Sequence, residues 1–135
     1  PKLSTDMEFT TNLSSKAYDL IIDAVFGFSF KPPLRPPHES VIGALSSTEI
    51  PICSIDVPSG WFVDCENNET VMDKSICIIP EMVVCLSAPK FCIKSHKGKY
   101  VYLGGRFLPP LLVQQYGLDL PPFIDDKIII KLDLK

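Results

Sequence analysis

Three groups of residues along this chain have side chains and spacing that can do chemistry. Asp56 closes the apolar run Ile52-Cys-Ser-Ile and precedes Val57-Pro-Ser-Gly, a sharp loop. A carboxylate at the end of a strand can give or take a proton when partial burial tunes it toward neutrality. From position alone it can equally cap the turn or accept loop amides. Asp23 lies toward the end of a second apolar run, and Ser59 sits in the loop after Asp56. A carboxylate and a hydroxyl on neighbouring strand ends, with loop carbonyls between them, form an oxygen cage suited to a hard cation rather than a soft one. The plainer alternative is a hydrogen bond from Ser59 to Asp23. The third group is the loop Gly27, Phe28, Ser29, Phe30, Lys31, Pro32 and Pro33. It can hold an anionic, ring-bearing ligand, with Lys31 near phosphate and Phe28 or Phe30 against a ring. It can also be a surface loop whose phenylalanines plug the core.

Other chemistries fail on their motifs. Val57-Pro-Ser-Gly is not the G-x-S-x-G of a serine hydrolase, and there is no G-x-G-x-x-G among seven scattered glycines. The five cysteines, Cys53, Cys65, Cys77, Cys85 and Cys92, are odd in number and include no C-x-x-C pair. Neither a disulfide framework nor a zinc site is expected, and Cys53 and Cys85 read as small hydrophobes in a reducing compartment. With 13 basic against 16 acidic residues there is no basic excess for a phosphate backbone, so nucleic-acid binding is not expected. No apolar run reaches the ~18 residues of a membrane helix, so no membrane span is expected either.

The elements that must position these residues follow from hydrophobic patterning. At 135 residues, 46% of them apolar, the chain suits one domain with a real core. Near-continuous apolar runs at 18–26, 51–56 and 81–87 predict strands buried on both faces. Tyr100-Val-Tyr-Leu predicts a fourth strand and residues 128–132 a last, edge strand. Between them, helices are expected over 38–47, 88–96 and 111–116, each set off by Pro or Gly. Residues 61–80 read as a polar surface excursion. Strands alternating with helices imply an α/β layered fold with a mainly parallel sheet, whose ligands sit outside the carboxyl ends of the strands. The chain begins at Pro1 without an initiator Met or a cleavable leader, so it is expected to be a processed product or a piece of a longer protein.

Five blocks in order carry a resemblance. They are Asp19-Leu-Ile-Ile-Asp-Ala-Val-Phe-Gly-Phe-Ser-Phe-Lys, Ser54-Ile-Asp-Val-Pro-Ser-Gly-Trp, Leu86-Ser-Ala-Pro-Lys, Tyr102-Leu-Gly-Gly-Arg-Phe-Leu-Pro-Pro and Leu118-Asp-Leu-Pro-Pro. Together they resemble the NAD(P)H-hydrate epimerase family, the YjeF N-terminal domain, over roughly residues 18–124. The resemblance implies a Rossmann-like three-layer α/β/α sandwich with a mainly parallel sheet. It covers the C-terminal portion of that domain, since the family's Asn-Gly-Gly-Asp-Gly loop does not occur before residue 18. An isolated portion is expected to leave a sheet edge and apolar helix faces open, to be covered by a second copy or a missing chain.

The activity implied is interconversion of the R and S epimers of hydrated NADH and NADPH, a metabolite-repair isomerase coupled to an NAD(P)H-hydrate dehydratase. One potassium ion (K+) per subunit, a homodimer and an intracellular location, mitochondrial or cytosolic, are implied with it. By the resemblance Asp23 and Ser59 ligate potassium, Gly27 through Pro33 line the hydrated nucleotide, and Asp56 contacts the nicotinamide end; the chemistry of inverting a hydroxyl-bearing carbon next to nitrogen leads us to expect Asp56 there as acid and then base. The rival is a non-catalytic scaffold or dimerisation module on the same fold.

Overall fold

The computed structural model describes residues 6–15, 17–31, 33–63 and 76–133. Cys65 and Pro32 therefore lie outside the described residues. The element order is α1 (Asp6–Ser14), β1 (Ile21–Asp23), α2 (His38–Ser46), β2 (Ile52–Ile55), β3 (Met82–Leu86), a 3-10 helix (Phe91–Ser95), β4 (Tyr100–Gly104), α3 (Pro110–Gln115) and β5 (Ile129–Leu132). The five strands form one sheet in the order β1-β2-β3-β4-β5. The first four are parallel, and β5 returns antiparallel to β4. This is the Rossmann-like α/β fold expected.

Register explains which side of the sheet is core. Paired residues share a face, and Asp23, Ser54, Val83, Val101 and Leu132 form one row across all five strands. That face carries Ile52, Val83, Cys85, Val101 and Leu103, all buried. Ile42 and Leu45 of α2 and Leu13 of α1 pack on its β1–β2 end, and Trp61, Cys92 and Ile93 on its β3–β4 end. The opposite face is more open. Ile22 is 63% exposed and Tyr100 is exposed too, while Val84 and Tyr102 are half-buried. Among the described residues β1 has no neighbouring strand on its outer side, and this face of the sheet is the more exposed one.

Local sequence sets the element ends. α2 starts directly after Pro37, with Glu39 in its first turn against the helix dipole. α3 has proline at its start, and its last turn is closed by Gly117, whose N–H reaches the Gln114 carbonyl.

Four expectations change in detail. β1 is three residues long rather than nine, because it pairs on one side only and the chain then turns away into the site loop. The helix expected over 88–96 is a 3-10 turn, since Pro89 removes an N–H and Lys90 after it is extended at φ −84° and ψ 156°. α1 occupies a segment for which no element was read; Phe9 and Leu13 seat it on α2. Most of 61–80 lies outside the described residues, but its ends are core rather than surface. Trp61 is 1% exposed and donates its indole N–H to the Ile78 carbonyl at 2.7 Å, and Cys77 and Ile78 are buried.

His96, just beyond the 3-10 helix, has both ring nitrogens buried without a hydrogen-bond partner among the described residues. Burial lowers its pKa below the ordinary 6.5, against the pull of the Tyr100 backbone and Glu81. The unfolded chain therefore binds this proton more readily than the fold does. Stability from the neutral ring is full above the unfolded value and is lost as pH falls through it toward the folded one. Calorimetric melting between pH 7.5 and 5.5 should show the transition falling on acidification, and His96→Gln should flatten that slope. An unchanged slope in the variant would assign it to other groups.

Candidate functional site

The carboxyl ends of β1, β2 and β3 meet at one edge of the sheet. Two of these ends stop in the same way. Asp56 has φ 71°, and Val57 N–H closes back on the Ile55 carbonyl at 3.0 Å. Ser87 has φ 63°, and Ala88 N–H closes back on the Leu86 carbonyl at 2.7 Å. Each is a tight three-residue turn with a non-glycine residue in the left-handed region, a conformation that clusters at functional sites. The turns end the strands abruptly and turn the chain across the edge.

Asp56 is 8% exposed, and both its oxygens face donors. Oδ2 accepts the Phe28 backbone N–H at 2.9 Å. Oδ1 accepts from Lys90 Nζ in a short ion pair. The Lys90 ammonium also donates to the Leu86 carbonyl at 2.9 Å. Lys90 thus ties the turn at the end of β3 to the carboxylate at the end of β2.

Asp23 is 1% exposed and forms the centre of a second cluster. Its Oδ2 accepts from Ser54 Oγ at 2.7 Å and from the Ser59 N–H at 2.9 Å. Its Oδ1 accepts from Ser59 Oγ at 2.6 Å, with a longer approach from the Val25 N–H at 3.4 Å. Ser59 Oγ in turn accepts the Phe26 N–H at 3.1 Å. Among the described residues no cationic side chain is paired with this buried carboxylate. Hydrogen bonds alone carry its charge, in a place where a paired cation would lower the cost of burial. The hydrogen bond from Ser59 to Asp23 is present, and the oxygens are hard donors; they fit a monovalent cation in kind. No group of three or more His, Cys, Asp or Glu that could hold a metal occurs among the described residues.

The loop after β1 joins the two clusters. Phe26 donates its amide to Ser59, and Phe28, two residues on, donates to Asp56. The Phe30 N–H returns to the Gly27 carbonyl at 3.0 Å. Phe26 packs against Phe30 at 4.7 Å and His38 at 5.1 Å between ring centroids, so Phe30 serves the loop's own packing. Phe28 is 67% exposed. The loop separates two clefts. One, of about 700 Å³, is lined by Phe28, Ser87, Lys90 and Phe91. The other, of about 630 Å³, is lined by Gly27, Ser29, Phe30, Lys31, Pro33 and the cationic Arg35.

The structure therefore brings Asp23 to Ser59, and Gly27 and Phe28 to Asp56. Ser29, Lys31 and Pro33 line the second cleft. Sequence reasoning missed Ser54 and Lys90 as site residues. The signal for Lys90 was there, since Leu86-Ser-Ala-Pro-Lys follows one buried strand as Asp56 follows another. Below the site, burial pushes the Cys85 thiol up to about 12, with Lys90 opposing and Asp56 adding to it. Cys85 is therefore packing, not a nucleophile.

The family model described as YjeF-related protein N-terminus matches residues 2–92 of this chain. Among solved structures, the yeast protein ynu0 (YNL200c) superposes with a TM-score of 0.79 at 32% sequence identity, over 95% of this chain and 52% of that one. The chain spans about half the length of the solved relative it matches.

Gly27 is where loop and acid come closest: a Cβ there would lie 2.9 Å from Asp56 Oδ2. At Gly43, inside α2, a Cβ would meet nothing within 4 Å. Gly43→Ala should therefore raise the stability by ~0.5–1 kcal/mol of helix propensity, and the melting temperature with it. Gly27→Ala should lower it by crowding the carboxylate away from Phe28. Calorimetry on the two variants checks this, and a Gly27→Ala protein as stable as the parent would mean the loop has room to spare.

Proposed function

The chain belongs to the YjeF-related protein N-terminus family, and from that premise we propose that it serves NAD(P)H-hydrate epimerisation, interconverting the R and S epimers of hydrated NADH and NADPH. The observation that carries this reading is Asp56, held between the Phe28 amide and the Lys90 ammonium, two residues that line one cleft and offer it the exposed Phe28 ring. The substrate has a hydroxyl on a ring carbon next to nitrogen. Loss of that hydroxyl as water leaves a cation that the nitrogen lone pair shares. Addition of water to the other face inverts the carbon. Both oxygens of Asp56 act as hydrogen-bond acceptors. Asp56 thus suits the second half, taking the proton of the incoming water, and its charge faces the cation between the two halves.

Phe28 is the residue proposed to lie against a substrate ring. Gly27, Ser29, Phe30, Lys31, Pro32 and Pro33 complete the loop around the nucleotide, with Lys31 on the phosphate side. Asp23 and Ser59 would hold a potassium ion. When bound, the ion would supply a positive charge beside the buried Asp23 carboxylate, and so fix the Ser59 loop that anchors Phe26. The proposal includes a dehydratase acting on the S epimer, a homodimer that uses the open sheet face, and a mitochondrial or cytosolic setting.

The test is an epimerisation assay on the intact gene product, following R to S hydrated NADPH by chromatography with potassium and with caesium. Wild type should convert the epimers fastest with potassium. Asp56→Asn should lose about 10²–10⁴-fold in turnover, the usual worth of one acid–base group. Full turnover in Asp56→Asn would remove Asp56 from the chemistry. No conversion by wild type would favour a scaffold on this fold.

A further inference from the structure

The epimerase reading leaves one half of the reaction without a residue. Expelling the substrate's hydroxyl requires a proton, and Asp56, with donors on both oxygens, has no hydrogen to give. We propose that Lys90 is the general acid of this site, donating its ammonium proton to the leaving hydroxyl while Asp56 acts as its paired base; this rests on the epimerase reading above.

Three observations converge on Lys90. Its ammonium carries three N–H donors, and among the described residues it meets two oxygens, Asp56 Oδ1 and the Leu86 carbonyl. The third donor is left for a ligand. The side chain lines the same cleft as Phe28, so a ring stacked on Phe28 lies beside it. The ammonium is also fixed rather than loose: it bridges the tight turns at Asp56 and Ser87, and the side chain is 20% exposed where a surface lysine would be free.

The proton and charge balance closes. The Nζ–H bond breaks and an O–H bond forms on the hydroxyl; the C–O bond breaks and water departs. The ring-nitrogen lone pair forms the C=N bond, so the positive charge passes from Lys90 to the ring, opposite the Asp56 carboxylate. An alkylammonium is a far stronger acid than water, so the proton moves downhill to a departing hydroxide. Water then adds to the other face and yields its proton to Asp56. Asp56 passes that proton to the neutral Lys90 amine through their hydrogen bond, which restores the starting pair.

The test uses Lys90→Ala in the intact gene product, with Asp56→Asn alongside. Lys90→Ala should lose about 10²-fold or more in kcat with KM little changed, as for one acid–base group, and should retain its circular dichroism. Added ethylamine should restore activity at least tenfold, while tetramethylammonium, a cation with no proton, should not. Wild-type kcat in Lys90→Ala overturns the assignment. Equal rescue by tetramethylammonium, or a loss that no amine relieves, overturns it too, and leaves Lys90 as a tie between strand ends. If Asp56→Asn itself turns over at the wild-type rate, Asp56 is not the paired base and the proposal falls while the epimerase reading stands; if wild type does not epimerise at all, the failure is that of the epimerase reading.

Discussion

The contact on which the site depends is the ion pair between Asp56 and Lys90. It joins two strand ends that stop in the same strained turn, one at Asp56 and one at Ser87. Left-handed backbone at non-glycine residues costs on the order of 1–3 kcal/mol each and persists only where the surroundings over-determine it. Here the surroundings are explicit. The Asp56 N–H is taken by the Val84 carbonyl at 2.8 Å, its carboxylate by Phe28 and Lys90, and Lys90 also holds Leu86. Three segments far apart in sequence are pinned through one carboxylate. Exposed ion pairs contribute little, whereas a partly buried one with its remaining lone pairs satisfied fixes geometry.

The second constraint lies one layer deeper. The row from Asp23 through Ser54, Val83 and Val101 crosses the buried face of the sheet, and its polar end is Asp23. A carboxylate among apolar residues is tolerated because Ser54 and the Ser59 loop turn hydrogens toward it. Those hydrogen bonds hold the Ser59 loop, the loop holds the Phe26 amide, and Phe26 sets where Phe28 meets Asp56. The deep cluster thus supports the shallow one through alternate residues of a single loop. The face opposite this row offers Ile22 and Tyr100 as apolar surface, which is where the fold has most left to bury.

Much of this was legible in the sequence. Unbroken apolar runs gave the parallel strands because a strand covered on both sides has no polar face to alternate. The pairing of Asp23 with Ser59 was legible because both sit at strand ends. Lys90 was harder to read: its partner is 34 residues away, and only the register of β2 against β3 brings them together. Ser54 was hidden because a serine inside an apolar run looks like filler until the neighbouring strand supplies Asp23. The 61–80 stretch misled at its ends, where Trp61 and Ile78 are drawn into the core by their own hydrogen bond. The short 3-10 turn after Pro89 depended on a proline whose effect on helix length a composition-based reading understates.

The measurement that tests the central claim most directly is where the substrate lands. Saturating hydrated NADPH added to the ¹⁵N-labelled intact protein should shift the amides of Phe28, Asp56, Ser87, Ala88 and Lys90, at the carboxyl ends of β1 to β3. A further cleft lies at the opposite end of the sheet, lined by Thr48, Pro51, Glu81 and Lys97. Shifts confined to that cleft, with Phe28 and Asp56 unmoved, would contradict the account.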